Sequence, residues 1–243
     1  MLGILLQGFL LMAQTSPVTS PVTSDDFEGY KSSVWPQGAT RGPWVHEYHG
    51  YGSVGVHKEL NGSKVLYQKP KASLSLDETH ASLVLSQKVF NEPTIAYRSK
   101  VVQQLRKPTA NSWETAWVVW NYTNDHRFYY FAFKTNGWEL GKVDNTKLNP
   151  NGPECLWPQY LNCKYNGAQR FLRTGESPRV KIGQWDSLQV QQVGNTFSVK
   201  VGDQLVVKYT DTQTPYKSGH VGFYNEDAYV RFDNIKIKSN TVP

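Results

Sequence analysis

The chain has 243 residues, with 26 Lys and Arg against 20 Asp and Glu, two Cys and 32 aromatic residues. Its charged fraction of 19% lies below the roughly 25% of an average soluble protein, while rings make up 13%. This excludes a disordered chain, which is poor in rings, and two Cys exclude a disulfide-framework miniprotein. The net charge of +6 is modest and the basic residues are scattered along the sequence, which argues against nucleic acid and permits an acidic polymer as partner.

In chain order, MLGILLQGFLLMA opens the sequence as an apolar run ending at small Ala13. It reads as a secretory leader over residues 1–14, too short to cross a membrane of about 20 helical residues. The alternative is an uncleaved apolar N-terminus or anchor. TSPVTSPVTS, residues 15–24, repeats a Ser/Thr/Pro unit that reads as an extended linker. From residue 25 to residue 240 a single domain is expected, because all-β units of about 200–250 residues are common.

Within that domain no helical period is found. The runs are short, β-branched or aromatic, and bounded by Gly, Pro, Asn and Asp. Strands are expected over residues 53–57, 64–69, 82–90, 94–105, 113–121, 127–134, 169–172, 187–193, 196–201, 204–209, 219–224 and 228–238. Gly194-Asn195 and Gly202-Asp203 are two-residue hairpin signals that make the last third an antiparallel meander. His46, His49 and His57 match no zinc spacing and read as surface polar residues.

Between Trp113 and Trp138 lie ten of the 32 rings. If residues 113–120 and 128–135 form a hairpin about the loop 121–127, the period of two sorts them into faces. Trp113, Thr115, Trp117, Val119, Tyr129, Phe131 and Phe133 then face the core. Glu114, Ala116, Val118, Trp120, Phe128, Tyr130, Ala132 and Lys134 form a mixed face suited to a sugar, with Glu114 opposite Lys134. Further on, Cys155 and Cys163 flank the short loop ECLWPQYLNC. In an oxidising compartment they are expected to bridge, the alternatives being a metal site or two inert thiols.

DDFEGY, WETAWVVWNYT, FYYFAFKTNGWELGK, IGQW, VGNTFSVKVGDQLV and PYKSGHVGFYNEDAYVRFDNIKI together resemble a concanavalin A-like domain of the laminin G and glucanase type. The resemblance spans residues 25–238 and is to a secreted bacterial branch made up mostly of domains of unknown function. It implies an all-β, two-sheet antiparallel jelly-roll sandwich. It also implies a structural calcium ion held by Asp233 of RFDNI together with backbone carbonyls, with Asp26 or Glu28 and the Gly50–Gly52 turn contributing, oxygen ligands that suit this hard ion; the alternative is that Asp233 caps the terminal strand.

The same sandwich hosts lectins, hydrolases and lyases, so function has to be argued from the site. The E-x-D-x-E triplet of family 16 glucanases is absent, which leaves Glu114 and Glu139 as a carboxylate pair from neighbouring strands. The patterns of jelly-roll alginate lyases are also absent, although Gln104, Arg106, His126, Tyr130 and Lys134 supply candidate base and neutralising groups. The leading expectation is a secreted protein that binds a polysaccharide on its concave sheet through Arg106, Glu114, Trp120, His126, Tyr130, Lys134 and Trp138. The rival is a polysaccharide lyase or glycosidase using Tyr130, Lys134, Glu114 and Glu139 in the same groove, and a third reading is a matrix or adhesion protein.

Overall fold

The computed structural model describes residues 22–144, 147–148, 165–166 and 169–241. The expected leader, the linker up to residue 21 and the Cys155–Cys163 bridge lie outside the described residues.

All regular elements among the described residues are strands. They begin with β1 (Val22–Asp25), β2 (Ser33–Val34), β3 (Thr40–Arg41), β4 (Trp44–Tyr48), β5 (Ser53–Lys58), β6 (Lys64–Lys69) and β7 (Ala81–Asn91). The middle of the chain forms β8 (Pro93–Gln104), β9 (Ala116–Asn124), β10 (Arg127–Lys134), β11 (Gly137–Asp144), β12 (Lys147–Leu148), β13 (Tyr165–Asn166) and β14 (Gln169–Gly175). The end forms β15 (Trp185–Val193), β16 (Thr196–Val201), β17 (Gln204–Thr210), β18 (Ser218–Glu226) and β19 (Ala228–Ser239). Two antiparallel sheets result. One runs β17-β16-β15-β8-β19-β6-β5-β2 with β1 added on β19, and the other runs β14-β11-β10-β9-β18-β7-β4-β3.

Every long strand expected from sequence is present. Val22–Asp25 pairs with β19 and buries Thr23, so residues expected in the linker take part in the sheet. Among the strands that were not expected, β11 (GWELGKVD) has glycines and charges that hide it from a propensity reading.

The main core lies between the sheets. Phe223 of β18 sits at its centre, with ring centroids 5.7 Å from Trp44, 5.4 Å from Tyr97 and 4.8 Å from Phe232. A second apolar cluster lies on the other face of the eight-stranded sheet, built on Leu83, Leu85, Trp117, Val119, Tyr130 and Val143. With apolar residues on both faces, β9 to β11 read as nearly continuous buried runs.

The aromatic hairpin forms, but half of its face assignment is reversed. The turn is the two-residue Asp125–His126, and the register pairs Trp120 with Tyr129 and Ala132 with Trp117. The expected seven-residue loop would have paired Trp120 with Phe128. An offset of one residue moves a whole strand to the other face. On β10 the assignment holds. On β9, Ala116, Val118 and Trp120 face the main core, while Trp117 and Val119 join the outer cluster. Asn121 has φ +51° and also turns inward, its Nδ2 donating to Gln192 Oε1 at 2.8 Å and to the Tyr216 carbonyl at 2.9 Å. His46 is likewise buried, its Nδ1 within 3.0 Å of the Trp35 and Pro36 carbonyls, so it is no surface residue.

Candidate functional site

The outer face of the eight-stranded sheet carries a groove of two lobes that share Trp117, Gln169 and Glu226. The first lobe, of about 320 Å³, adds polar and partly exposed groups, among them Thr79, Arg106, Asn111, Trp113 and Glu139. The second, of about 250 Å³, is lined largely by rings: Tyr48, Tyr122, Phe128, Tyr130 and Tyr224, with Asp125 at its end. Concave sites that combine rings with a few convergent polar groups are the usual places for small-molecule binding. Trp117 forms the floor at the junction, stacked on Tyr130 at 5.0 Å and 25° and edge-on to Tyr224 at 5.3 Å.

One wall is built by β10 and β11. The Tyr130 hydroxyl donates to Glu139 Oε1 at 2.6 Å, Lys134 Nζ donates to Oε2 at 2.9 Å, and Gln169 Nε2 donates to the Tyr130 hydroxyl at 2.8 Å. Burial, followed by the neighbouring Glu139 charge, raises the Tyr130 phenol, so it stays a donor. These contacts hold both oxygens of Glu139 in place. Its tether to Lys134 corrects the expected Glu114–Lys134 pair.

The opposite wall is the end of β18, where Glu226 is 3% exposed. Burial pushes its carboxyl up to about 7, with the charges of Asp227 and Glu114 adding to the effect and the hydroxyl of Tyr224, 2.7 Å away, opposing it. This is the range in which a carboxyl exchanges protons near neutrality. β9 and β10 lie between β18 and β11, which at about 4.8 Å per strand separates the two backbones by roughly 14 Å. Glu226 and Glu139 both line the first lobe, with Trp117 on a strand between theirs.

Behind Glu226 sits a clamp. Arg106 is 3% exposed; its Nε bonds Glu114, and Nη2 bonds Asp227 at 2.8 Å and Thr79 Oγ1 at 3.0 Å. Its Nη1 donates to the carbonyls of Ser75 at 2.7 Å and Glu78 at 2.6 Å. All its donors are occupied, so Arg106 organises the wall and carries no free N–H for a ligand. Asp227 has φ +39° and is fully buried, and its carboxylate accepts the N–H groups of Ser73 at 3.0 Å and His80 at 3.3 Å. The tight Asn-Glu-Asp-Ala connection thus splits two adjacent acids, Glu226 into the groove and Asp227 into the clamp. Glu114 is also fully buried, and burial raises its carboxyl despite Arg106.

Of the residues expected at the site, Tyr130, Lys134 and Glu139 are brought together, while Arg106 and Glu114 lie in the supporting clamp. Trp120 and Trp138 are not in the groove. Trp120 is core, stacked on Tyr129 at 5.6 Å, and Trp138 stacks on Phe131 at 6.2 Å and donates Nε1–H to the Ser177 carbonyl at 2.9 Å. His126 sits in the hairpin turn beside Asp125, the residue that reaches the second lobe. Trp117, Gln169, Tyr224 and Glu226 were missed. Glu226 was legible only as half of an adjacent acid pair.

Each carboxylate expected to hold calcium accepts a backbone N–H through one of its oxygens. Asp233 Oδ1 accepts the Asn234 N–H at 2.7 Å, Asp26 Oδ1 the Glu28 N–H at 3.2 Å and Glu28 Oε1 the Lys64 N–H at 2.8 Å. Among the described residues no group of three or more His, Cys, Asp or Glu side chains is placed to hold a metal ion. Burial raises the Asp233 carboxyl, and the charges of Glu28 and Asp26 add to the effect, so the three acids stand within one another's field at the edge formed by β1 and β19.

Comparison with solved structures places the chain among concanavalin A-like sandwiches. A carbohydrate-binding module CBM66 from Bacillus subtilis aligns with TM-score 0.54 at 13% identity, over 81% of this chain and 96% of that one. A family 16 glycoside hydrolase from Bacteroides ovatus, solved with a mixed-linkage glucan product, aligns with TM-score 0.52 at 12% identity, over 89% and 98% of the two chains. A β-glucanase from Bacillus licheniformis aligns with TM-score 0.50 at 11% identity, over 92% and 99%. At these identities the likeness is one of fold. A search of curated proteins finds no match. The family model described as the 3-keto-alpha-glucoside-1,2-lyase-like domain matches residues 95–238, a span holding β9 to β11 and all but the last residue of β19, and the chain belongs to this family.

Proposed function

We propose that the groove binds a glycoside and that Glu226 is its acid–base group, the protein acting as a carbohydrate lyase on a glucoside that carries a ketone at C3. The observation that carries this reading is the placement of Glu226, buried where the two lobes meet, with its carboxyl pushed up to about 7. The family's name supplies the reaction class, a 1,2-lyase acting on 3-keto-α-glucosides.

A ketone at C3 acidifies the hydrogen on C2. Loss of that proton to a carboxylate and cleavage of the C1–O bond leave a C1=C2 double bond conjugated with the ketone, and the departing oxygen takes up a proton. In an α-glucoside the C2 hydrogen and the C1 oxygen lie on opposite faces of the ring. Base and acid must then reach from opposite sides, as the two walls of the groove do. Glu226 is the base. The Glu139–Lys134–Tyr130 set lies across Trp117 on the side where the C1 oxygen leaves, with Lys134 and Tyr130 as proton-bearing groups. General acid–base groups of this kind contribute about 10²–10⁴-fold each.

The test is to incubate the protein with a 3-keto-α-glucoside and follow the ultraviolet absorbance of the unsaturated ketone. Wild type should form it, and Glu226→Gln should lower the rate about 100-fold or more. An unchanged rate in Glu226→Gln would remove Glu226 from the chemistry. Sugar retained by the protein without any product would leave non-catalytic binding as the function of the groove.

A further inference from the structure

The basic residues scattered along the sequence are gathered by the fold. On the nine-stranded sheet the positions facing away from the core alternate with buried ones. β8 turns Arg98 and Lys100 outward, and β19 does the same with Arg231, Lys236 and Lys238. β16 and β17 add Lys200 and Lys208, while β15 contributes Ser187, Gln189 and Gln191. None of the outward positions on β8, β15, β16 or β17 is acidic.

The register aligns these side chains into rows across the strands. One row reads Lys208, Ser198, Gln191, Thr94 and Lys238. The next reads Lys200, Gln189, Ala96 and Lys236, and a third brings Trp185, Lys100, Arg231 and Tyr67 side by side. The steps from β17 to β19 carry the charge across about 19 Å at about 4.8 Å per strand. Acids lie only along the border of the face: Glu59 is ion-paired with Arg231, Asp233 lies in the field of Arg98 and of Glu28, Asp26 lies beside Lys236 in the recess next to β1, and Asp203 stands in the turn between β16 and β17. Among the described residues the other five cations of the rows, Lys100, Lys200, Lys208, Lys236 and Lys238, form no ion pair.

We infer that this outer face of the nine-stranded sheet is a second binding surface, distinct from the groove, for a linear polyanionic glycan lying across the strands. Lysines at the ends of rows whose middles are Ser, Thr and Gln match a polymer with widely spaced anionic groups and many hydroxyls. Of the three large rings on the face, Tyr67 packs against His57 and edge-on to Tyr229, while Trp185 and Tyr229 already hold cations. Arg98 lies 4.9 Å and Lys100 5.9 Å from the centre of Trp185, and Arg231 lies 5.2 Å and Lys69 5.4 Å from the centre of Tyr229. They therefore steady the cationic heads and offer no bare face for a nucleobase, whose stacking single-strand binding requires.

The test uses labelled heparin oligosaccharides as the polyanionic glycan and the full protein. Binding at low salt that weakens as salt rises is expected, and neutral dextran should not compete. The double variants Lys236→Gln/Lys238→Gln and Lys200→Gln/Lys208→Gln should each weaken binding about tenfold, the scale of a few exposed ionic contacts. The control Lys31→Gln/Lys71→Gln, at exposed lysines outside the rows, should not. Circular dichroism confirms folding for each variant, and the two row variants stand in for one another if one fails to fold. Absence of heparin binding at low salt would overturn the inference. So would equal weakening by the control pair, or equally tight binding of single-stranded DNA or anionic vesicles.

Discussion

The ring of Tyr130 lies flat against Gly141 on the neighbouring strand, so closely that a Cβ at position 141 would stand 2.0 Å from Tyr130 Cζ and 2.2 Å from its hydroxyl oxygen. The glycine is what lets the phenol reach Glu139 from the strand alongside. Gly141→Ala should displace the ring, with an overpacking cost of about 1–3 kcal/mol. It should also weaken ligand binding in the groove, because Glu139 loses the 2.6 Å bond that orients it. A denaturant midpoint and a binding isotherm measured on the same variant check both effects.

Glu226 makes stability depend on pH with a definite sign. Its folded carboxyl is pushed up from an ordinary 4.5 to about 7, so between those values the native state holds a proton that the unfolded chain releases. The stabilisation is present below about 4.5 and is lost as pH rises to about 7, amounting to about 3 kcal/mol across the window. Glu226→Gln should flatten that slope and make the protein more stable than wild type at pH 8. The lyase rate should move the other way, rising through pH 7 as the base ionises. Urea unfolding at a series of pH values, set beside the rate profile, tests the pair.

Arg106 holds two buried carboxylates at once, so removing it strands charge. Arg106→Gln should destabilise the fold by about 3–5 kcal/mol, the usual penalty for breaking a buried pair from one side. The double variant Arg106→Gln/Glu114→Gln should recover part of that loss, since one of the stranded carboxylates becomes a neutral amide. Recovery of nothing would mean that Asp227 alone needs the guanidinium.

Two tryptophans seven residues apart should respond in opposite ways. Trp120 is fully buried in the main core, and Trp120→Ala should cost about 3–5 kcal/mol. Trp113 is 41% exposed on the rim of the polar lobe. Trp113→Ala should leave stability within about 0.5 kcal/mol while weakening ligand binding. The reverse pattern would restore the hairpin phase expected from sequence.

The hairpin shows how far local pattern reaches. Along β10 the phase expected from the start of the strand is the observed one, so Tyr129, Phe131 and Phe133 separate from Phe128, Tyr130 and Ala132 although both faces are covered. On β9 both faces are apolar, so the pattern carries no phase. The turn of Asp125–His126 and the inward rotation of Asn121 decide it instead, and they send Trp117 to the groove and Trp120 to the core. β11 is hidden for a related reason: its Gly141 serves Tyr130, its Glu139 is buried against Tyr130 and Lys134 of β10, and its Lys142 is buried against Asp211 in the segment after β17.

By itself the sequence determined the class of this protein: a strand-rich, ring-rich chain whose hairpin signals and closing strands lead to a concanavalin A-like sandwich. It also determined that Tyr130, Lys134 and Glu139 belong to one neighbourhood, since strand alternation and a tight turn act over a few residues. Only the tertiary structure decided that Glu226 lines the same groove from a strand far along the chain, that Arg106 ties Glu114 to Asp227, and that dispersed lysines align into rows on the opposite sheet. Those relationships depend on register between distant strands and on burial, which shifts a carboxyl only once the surrounding strands have closed over it.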